Sequence, residues 1–392
     1  KKFRLFSFIS EKSMTFIPRR ISSSILRVPK NKAVELFGMR QVGKTTLLEH
    51  LFKNYRTAWY TGDSPDDVRI LTSLPSANEL RTLIANYEFI VIDEAQRIPS
   101  IGLLIKRFVD LKTDCQLIVT GSSSLDLAGG TFESAAGRFR AYQLWPFSAQ
   151  ELADSSSWID EIRSLSDRLV YGSFPFVIDD PEQAKEDLVS YAISTAFKDI
   201  YSLSGIRDHR AFDNLVYLLA HNIGNLITVS SLGRECGLSS TAIENYLTLL
   251  EQSFIIKILP SYAKNLANEL KKSKKIYFCD LGLRNAILRR FTPFGARPPE
   301  EQGALFENYF VMERIKKCSY DSRFTQHYFW RTKNANEIDL IEVTDDNIEA
   351  FEIKLSQPKA KVPPSFREAY PDALFHTVNR DNFYKYLESP SG

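Results

Sequence analysis

The stretch AVELFGMRQVGKTTLL, from Ala33 to Leu48, decides the fold because it sets a glycine-rich turn between a predicted strand and a predicted helix. Gly38 to Thr45 match the pattern G-x-x-x-x-G-K-T. In this context the backbone N–H groups of the turn can surround a phosphate, and the helix presents the positive end of its dipole. The stretch therefore predicts a loop that binds the phosphates of a nucleotide.

Two side chains of this loop have defined chemical tasks. Lys44 can reach the β- and γ-phosphates of a nucleoside triphosphate, and the Thr45 hydroxyl can bind Mg²⁺. We therefore predict ATP and Mg²⁺ as ligands. The residues expected to touch the nucleotide lie in the loop and in the first turn of the helix: Gly38, Arg40, Gln41, Val42, Gly43, Lys44, Thr45 and Thr46.

An acidic motif follows further along the chain. Phe89 to Glu94 reads FIVIDE, in which a run of apolar residues precedes two acids. Such a run is typical of a strand buried on both faces of a parallel sheet, and ligands bind where these strands end. Asp93 is therefore expected to hold Mg²⁺ beside the nucleotide, and Glu94 to polarise the attacking water.

Further polar groups could complete a hydrolytic site. An apolar strand ends at Thr120, and Thr120 or Ser122 could sense the γ-phosphate. A serine-rich turn that caps the next helix explains the serine equally well. Arg138 is a candidate arginine finger in cis or in trans. An ordinary surface arginine explains Arg138 equally well. Strands that alternate with helices in this order predict a doubly wound parallel α/β sheet.

Composition bounds the class of protein. A chain of 392 residues is expected to form about two to four domains. The formal charge of +2 argues against a histone-like binder but leaves room for a local basic groove. The cysteines form no C-x-x-C pair, as expected for reduced thiols in a cytoplasmic protein, and no apolar run approaches the roughly 18 residues of a membrane span. We expect the folded chain to start near Met14.

The middle of the chain is predicted to be mainly helical. Residues 148–206 read as a small helical lid beside the nucleotide. Residues 229–238 and 239–247 read as a helix, a glycine turn and a second helix capped by a serine, followed by an apolar strand at 254–259. This order is typical of a winged helix-turn-helix. Because the early residues of the second helix are polar and not basic, a DNA reader and a domain-packing module fit equally well.

A lysine-rich run joins this region to the last one. It contains Lys271, Lys272, Lys274 and Lys275, and such charge runs are usually solvated, so we interpret it as an exposed connector. The sequence KIYFCD, residues 275–280, follows and predicts a strand.

Four side chains of the last region form a metal-site pattern. Glu307 lies in the early turns of a predicted helix, and Asp339 opens one strand of a predicted hairpin. Glu352 and Lys354 lie on the partner strand, where period-two alternation places them on one face. The carboxylates could hold Mg²⁺ and the lysine could orient an attacking water. Exposed alternating charges on an edge strand explain E-x-K alone, so cleavage of a phosphodiester stays open.

Together, these stretches resemble the prokaryotic AAA-type P-loop ATPases whose C-terminal domain, of unknown function, is similar to restriction endonucleases. The resemblance runs in order from about Phe16 to Ser356. The stretches that carry it are FIPRRI, GMRQVGKTTLL, FIVIDEAQRIP, IVTGSSS, GRFRAYQLWPFSAQEL, YGSFP, AFKDI, TAIENYLTLLEQSFII, KIYFCDLGLRNA, FENYF, NEIDLI and FEIKLS.

The resemblance implies a P-loop, AAA-like doubly wound sheet followed by a helical lid, a winged helix and a C-terminal PD-(D/E)XK-like α/β domain. It implies that Asp93 and Glu94 are the Walker B acids. The nuclease-like constellation that it implies is Glu307, Asp339, Glu352 and Lys354. The expected bounds are 1–30 for an N-terminal extension and helix, 31–147 for the ATPase core, 148–206 for the lid, 207–262 for the winged helix and 263–392 for the endonuclease-like domain.

Two functional hypotheses follow. In the first, a Mg²⁺-dependent ATPase couples its nucleotide state to a nuclease-like domain that acts on DNA. In the second, a slow nucleotide switch binds DNA or a protein partner and cleaves no nucleic acid. The sequence identifies no second sensor arginine, so Arg138 of a neighbouring copy in a homo-oligomer is an open source of the finger.

Overall fold

The computed structural model describes residues 16–73, 76–122, 137–197, 200–201, 206, 208–262, 273–332, 336–356 and 359–389. The predicted start near Met14 lies outside these residues. Among the described residues, no helix combines the length and the apolar character that crossing a bilayer requires.

A five-stranded parallel sheet forms the N-terminal part and confirms the predicted α/β class. Its strands, in the spatial order β2-β3-β4-β1-β5, are β1 (Ala33–Phe37), β2 (Thr57–Thr61), β3 (Phe89–Asp93), β4 (Gln116–Gly121) and β5 (Phe139–Gln143). The helices of this part are Ser22–Leu26, Lys44–Phe52, Pro65–Thr72, Ala77–Ile84 and Ile101–Asp110. The apolar run of β3 is buried, as expected for a strand inside a parallel sheet.

The register of this sheet gathers the polar strand ends at one edge. Phe37 at the end of β1 pairs with Gly121 at the end of β4, and all neighbouring strands run parallel. The phosphate loop after Phe37, the two acids at the end of β3 and Thr120 near the end of β4 therefore lie at the same edge. Ligands bind at this edge in open α/β sheets.

The middle part combines helices with a small antiparallel sheet. Its helices are Ala149–Ser155, Trp158–Tyr171, Pro175–Asp179, Ala184–Ser194, His209–His221, Val229–Cys236, Ser240–Gln252 and Leu281–Ile287. Strands β6 (Leu226–Thr228), β7 (Ile256–Pro260) and β8 (Ser273–Phe278) pair in the order β6-β8-β7. Ser239 caps the second helix of the predicted helix pair by accepting from the Ala242 N–H at 3.2 Å. The sheet has strands on both sides of the predicted boundary between residues 262 and 263.

The C-terminal part is a four-stranded mixed sheet beside one long helix, Pro299–Tyr320. The strands β9 (Thr325–Arg331), β10 (Glu337–Thr344), β11 (Asn347–Ile353) and β12 (Leu374–Val378) follow the order β12-β11-β10-β9. β10 pairs with both neighbours in antiparallel fashion, whereas β11 and β12 are parallel. Two short helices, Pro364–Ala369 and Tyr384–Leu387, complete this part.

The three parts share buried contacts. The ring of Phe37, at the end of β1, stacks on Phe254 of the middle part with centroids 5.3 Å apart. On the long C-terminal helix, Glu313 accepts from the Ala149 N–H at 2.7 Å, and the Tyr320 hydroxyl accepts from the Trp145 N–H at 3.2 Å. One apolar core therefore runs from the parallel sheet into the C-terminal sheet.

Candidate functional site

The phosphate loop depends on its two glycines. A Cβ on Gly38 would lie 2.2 Å from the carbonyl oxygen of Leu144, which is too close for any other residue. Gly43 has φ +91° and starts the helix at Lys44, and L-residues rarely adopt this left-handed conformation. The loop can therefore take this path only with glycine at both positions.

Lys44 closes the loop over its own backbone. Its buried ammonium donates to the carbonyl oxygens of Gly38 at 2.8 Å and Met39 at 3.0 Å. The group is thus held at the mouth of the loop, where a lysine contributes a point charge to phosphate binding.

The predicted magnesium ligands lie together. The Thr45 hydroxyl donates to Asp93 Oδ2 at 2.8 Å, and the Thr120 hydroxyl donates to Asp93 Oδ1. Mg²⁺ prefers oxygen ligands and is usually held by one or two protein groups together with substrate phosphates. A hydroxyl and a carboxylate beside the phosphate loop therefore fit Mg²⁺.

Glu94 is held by neighbours that the sequence analysis did not identify as a group. Its backbone has φ +48°, in the left-handed region. Glu94 Oε2 accepts from Gln96 Nε2 at 2.6 Å and lies 4.0 Å from the Arg40 guanidinium. Gln96 Nε2 also lies 3.3 Å from the Ser122 hydroxyl. Gln96 therefore bridges the predicted catalytic acid and a predicted sensor, although no motif position singles it out.

Arg138 lies away from these groups. It immediately precedes β5, whose first residue, Phe139, pairs with Ala33 at the start of β1. The phosphate loop begins at the other end of β1, roughly 13 Å along a strand of this length. Arg138 instead pairs with Asp110 Oδ1 at 2.9 Å. The arrangement does not bring Arg138 to the nucleotide site of its own chain.

An apolar cavity of about 300 Å³ adjoins the first turn of the loop helix. Its walls include Thr46 and Leu47 from the loop helix, Phe16 from the N-terminal segment and Pro175 from the lid. Phe16 stacks on His50 with ring centroids 3.7 Å apart. With its volume of about 300 Å³ and its mostly apolar walls, the cavity could take an aromatic ring system next to the phosphate loop.

Arg19 joins the phosphate loop to the helices of the middle part, which were predicted to form the lid. This buried guanidinium donates to the Val42 carbonyl oxygen at 2.9 Å and to Glu151 Oε1 at 3.1 Å. Tyr191 of the lid donates to the Arg40 carbonyl oxygen at 3.1 Å. The sequence analysis did not identify Arg19, because its partners lie far away in the chain.

The structure also brings the four C-terminal side chains together. Lys354 Nζ lies 2.7 Å from Glu352 Oε1 and 3.7 Å from Asp339 Oδ2. Asp339 Oδ2 also accepts from the Ile353 N–H at 2.9 Å. Glu307 reaches the same place from the long helix, where its Oε1 accepts from the Tyr277 hydroxyl at 2.7 Å.

Lys275 corrects the interpretation of the lysine-rich run as an exposed connector. Its side chain is 1% exposed, and its Nζ lies 2.6 Å from Glu337, 3.0 Å from Glu307 and 3.2 Å from Asp339. The predicted strand 275–280 already included this lysine, but its charge gave no sign that β8 packs it against acids of the long helix and β10. Lys274 and Lys275 are neighbours on one strand, yet only Lys275 points into the protein.

Burial and mutual repulsion act on these acids. Burial raises the pKa of Glu307 and of Glu352, and the Asp339 carboxylate raises both further. Burial alone would lower the pKa of Lys275, but Glu307 and its neighbouring acids raise it well above the ordinary value. Lys275 Nζ lies at hydrogen-bond distance from two of the three acids predicted to hold Mg²⁺, Glu307 and Asp339, so this cluster does not fit the metal as the side chains stand.

The N-terminal part of the chain matches a known family model. Residues 30–153 match the family model described as an AAA domain. Residues 162–293 and 302–387 match two models described as domains of unknown function (DUF8612 and DUF4143). The AAA match, together with the parallel sheet, supports an AAA-type P-loop ATPase for the N-terminal part.

Relatives and solved structures resemble the chain over much of its length. An uncharacterized protein of Mycobacterium tuberculosis is 28% identical over 92% of this chain and 79% of its own length. One from Haemophilus influenzae is 23% identical over 94% of this chain and 86% of its own. A Walker-type ATPase of Pyrococcus abyssi is 13% identical in sequence. The structural match covers 69% of this chain and 93% of that one, with a TM-score of 0.44.

Proposed function

We propose that the protein is a Mg²⁺-dependent ATPase. The observation that carries the proposal is the joint placement of Lys44, the Thr45–Asp93 pair and Glu94 at one edge of a parallel sheet. Phosphoryl transfer needs positioning and charge stabilisation more than covalent chemistry, and these groups are of the kinds that supply both.

Each group has a task in the proposed reaction. The loop backbone and Lys44 bind the β- and γ-phosphates, and Thr45 and Asp93 hold Mg²⁺, which neutralises phosphate charge when bound. Glu94 orients the attacking water and accepts its proton. The apolar cavity beside Thr46 and Leu47 takes the base, because it opens next to the first turn of the loop helix.

A steady-state ATPase assay tests the proposal. Lys44→Ala should abolish ATP binding, because it removes the charge at the mouth of the loop. Glu94→Gln should keep binding and lower kcat by about 100-fold or more, in the range found for general bases. A wild-type protein that binds ATP without turnover would favour the slow switch, and one that binds no ATP would overturn both hypotheses.

We further propose the finer domain assignments. The capped helix pair, with β6 before it and β7 and β8 after it, supports a winged helix-turn-helix. Because β8 pairs with β6 and β7, we propose that this domain extends beyond residue 262 to include β8. The mixed sheet with Glu307, Asp339, Glu352 and Lys354 gathered on it supports an endonuclease-like domain.

We propose that the nucleotide bound at the phosphate loop affects the packing of the C-terminal part. Arg19 contacts the phosphate loop and the lid, and Tyr320 of the long C-terminal helix contacts Trp145 beside the loop. A change in the loop would therefore alter contacts that reach the C-terminal helix.

Metal-dependent cleavage of DNA is the second candidate function. The gathering of the three predicted acids and Lys354 favours it, whereas the Lys275 ammonium among the same acids opposes it. Incubation of DNA with Mg²⁺ or Mn²⁺, comparing wild type with Asp339→Ala, tests it. Cleavage that depends on Asp339 is the outcome required by this candidate.

A further inference from the structure

The acidic cluster of the C-terminal domain consists of Glu307, Glu337, Asp339 and Glu352. We propose that Lys275 is the resident cation of this acidic cluster, and that the cluster fastens β8 to the C-terminal domain instead of holding a catalytic divalent ion. The inference is independent of ATP hydrolysis, since none of these residues lies at the phosphate loop.

The Lys275 ammonium has as many neighbouring carboxylates as it has N–H donors. A lysine has three N–H donors, and carboxylate oxygens lie at 2.6 Å, 3.0 Å and 3.2 Å from Lys275 Nζ. The three carboxylates belong to Glu337, Glu307 and Asp339, which come from the long helix and β10. These are hydrogen-bond distances, whereas Mg²⁺ requires oxygens at about 2.0–2.1 Å. A divalent ion and this ammonium therefore cannot share the position.

Other donors also occupy the carboxylates. Glu337 Oε2 accepts from Arg331 at 2.8 Å, and Glu352 Oε1 pairs with Lys354 at 2.7 Å. Asp339 Oδ2 accepts a backbone N–H, and Glu307 accepts from the Tyr277 hydroxyl. Among the described residues, Glu352 Oε2 is buried with no hydrogen-bond partner, so it is the oxygen that an added metal would use first.

The surroundings leave Lys275 little room to withdraw. It lies on β8, the central strand between β6 and β7. Gly224 packs against the other side of the cluster, with φ +70°, and a Cβ there would lie 3.2 Å from Glu307 Oε1. A displaced ammonium would remain buried without its partners, which is strongly unfavourable. Metal binding would have to overcome this loss as well as the repulsion between two cations.

The position of Lys275 in the chain gives the cluster a structural role. β8 belongs to the segment that matches one family model, residues 162–293, while the acids lie in the segment that matches another, residues 302–387. The ion pairs therefore cross from one domain to the next. The same interface has a neutral contact, in which Asn308 accepts from the Phe278 N–H at 2.8 Å and donates to its carbonyl oxygen at 2.8 Å.

Titration of nucleotide-free full-length protein with Mn²⁺, followed by electron paramagnetic resonance, tests the proposal. The variants are Lys275→Met, which removes the charge at similar length, the double variant Lys275→Met/Asp339→Asn, and Lys274→Met on the same strand as the control. We expect no Asp339-dependent Mn²⁺ site in wild type or Lys274→Met. Lys275→Met should gain an Asp339-dependent Mn²⁺ site, with a Kd for Mn²⁺ at least about tenfold lower than any in wild type. The double variant should lose this site again.

Two measurements keep the proposal testable if Lys275→Met folds poorly. Mn²⁺ should raise the Tm of that variant but leave the wild-type Tm unchanged when ATP is absent. Wild-type protein should also leave DNA intact in Mn²⁺. An Asp339-dependent Mn²⁺ site in the wild type, or DNA cleavage lost in Asp339→Asn, would overturn the proposal whatever the ATPase assay gives.

Discussion

Gln96 is a positioning residue for the proposed reaction. Its amide joins Glu94 Oε2 at 2.6 Å to the Ser122 hydroxyl at 3.3 Å. Gln96→Ala should lower kcat about tenfold through loss of orientation. It should leave the Kd for ATP unchanged, because the described hydrogen bonds of Gln96 go to Glu94 and Ser122, outside the phosphate loop. Stopped-flow nucleotide binding and steady-state turnover separate the two quantities. An unchanged or raised kcat would show that Gln96 does not orient Glu94.

Gly38 offers a stringent test of the loop geometry. Gly38→Ala should abolish ATP binding and destabilise the fold by about 1–3 kcal/mol, as expected for overpacking, because its Cβ would meet the Leu144 carbonyl oxygen at 2.2 Å. Gly295→Ala is the control, since a Cβ there meets nothing within 4 Å. Equal urea midpoints for the two variants would contradict the argument.

His327 makes stability depend on pH. Burial lowers its pKa to about 4 even though Glu342 lies beside it. The folded state therefore disfavours the proton, so the associated stability is present above about pH 6.5 and is lost as the pH falls towards 4. Between about pH 6.5 and pH 4, the free energy of unfolding measured in urea should fall by up to about 3 kcal/mol less in His327→Gln than in wild type. An equal loss in His327→Gln and in wild type would show that His327 does not cause it.

Motif residues could be predicted from the sequence, and their partners could not. Lys44, Thr45 and Asp93 occupy fixed positions in short patterns, and the structure places them together. Arg19 and Lys275 act through partners far away in the chain. Charge alone marks a lysine or arginine as exposed, so only the fold reveals that these two are buried.

At the scale of elements, the segment before the first helix is held to the lid through Arg19. Arg19→Met should lower the free energy of unfolding by about 3–5 kcal/mol, because Glu151 would stay buried without its partner. Arg27→Met, which replaces an exposed side chain directly after the adjacent helix, should change the free energy of unfolding by less than about 0.5 kcal/mol. Chemical denaturation of both variants provides the comparison. Similar losses would mean that Arg19 contributes nothing through its burial.

Elements with continuous apolar runs were predictable, and those with mixed patterns were less so. β3 and β4 are buried along nearly all of their length, and a strand buried on both faces needs apolar residues at successive positions. β8 begins with polar residues and turns apolar halfway, so its start was interpreted as a connector. β12 is half-exposed and was not predicted, because its parallel pairing with β11 has no local sequence signal.

At the scale of the whole molecule, nucleotide binding should stabilise the C-terminal part as well as the sheet. A non-hydrolysable ATP analogue at about 100 times its Kd should add about 2.7 kcal/mol to the free energy of unfolding. Nucleotide binding should also slow tryptic cleavage at the lysines and arginines that lie C-terminal to residue 293, because Tyr320 contacts Trp145 and Arg19 beside the loop. Lys44→Ala should show neither effect. An unchanged cleavage pattern and scattering profile in wild type would contradict coupling.

The long helix Pro299–Tyr320 has a consequence for synthesis on the ribosome. Its polar residues contact β8, the lid and the segment around Trp145. Those earlier segments leave the exit tunnel well before their partners do. Until this helix emerges, the nascent chain exposes apolar surface that the helix will later cover, a state prone to aggregation.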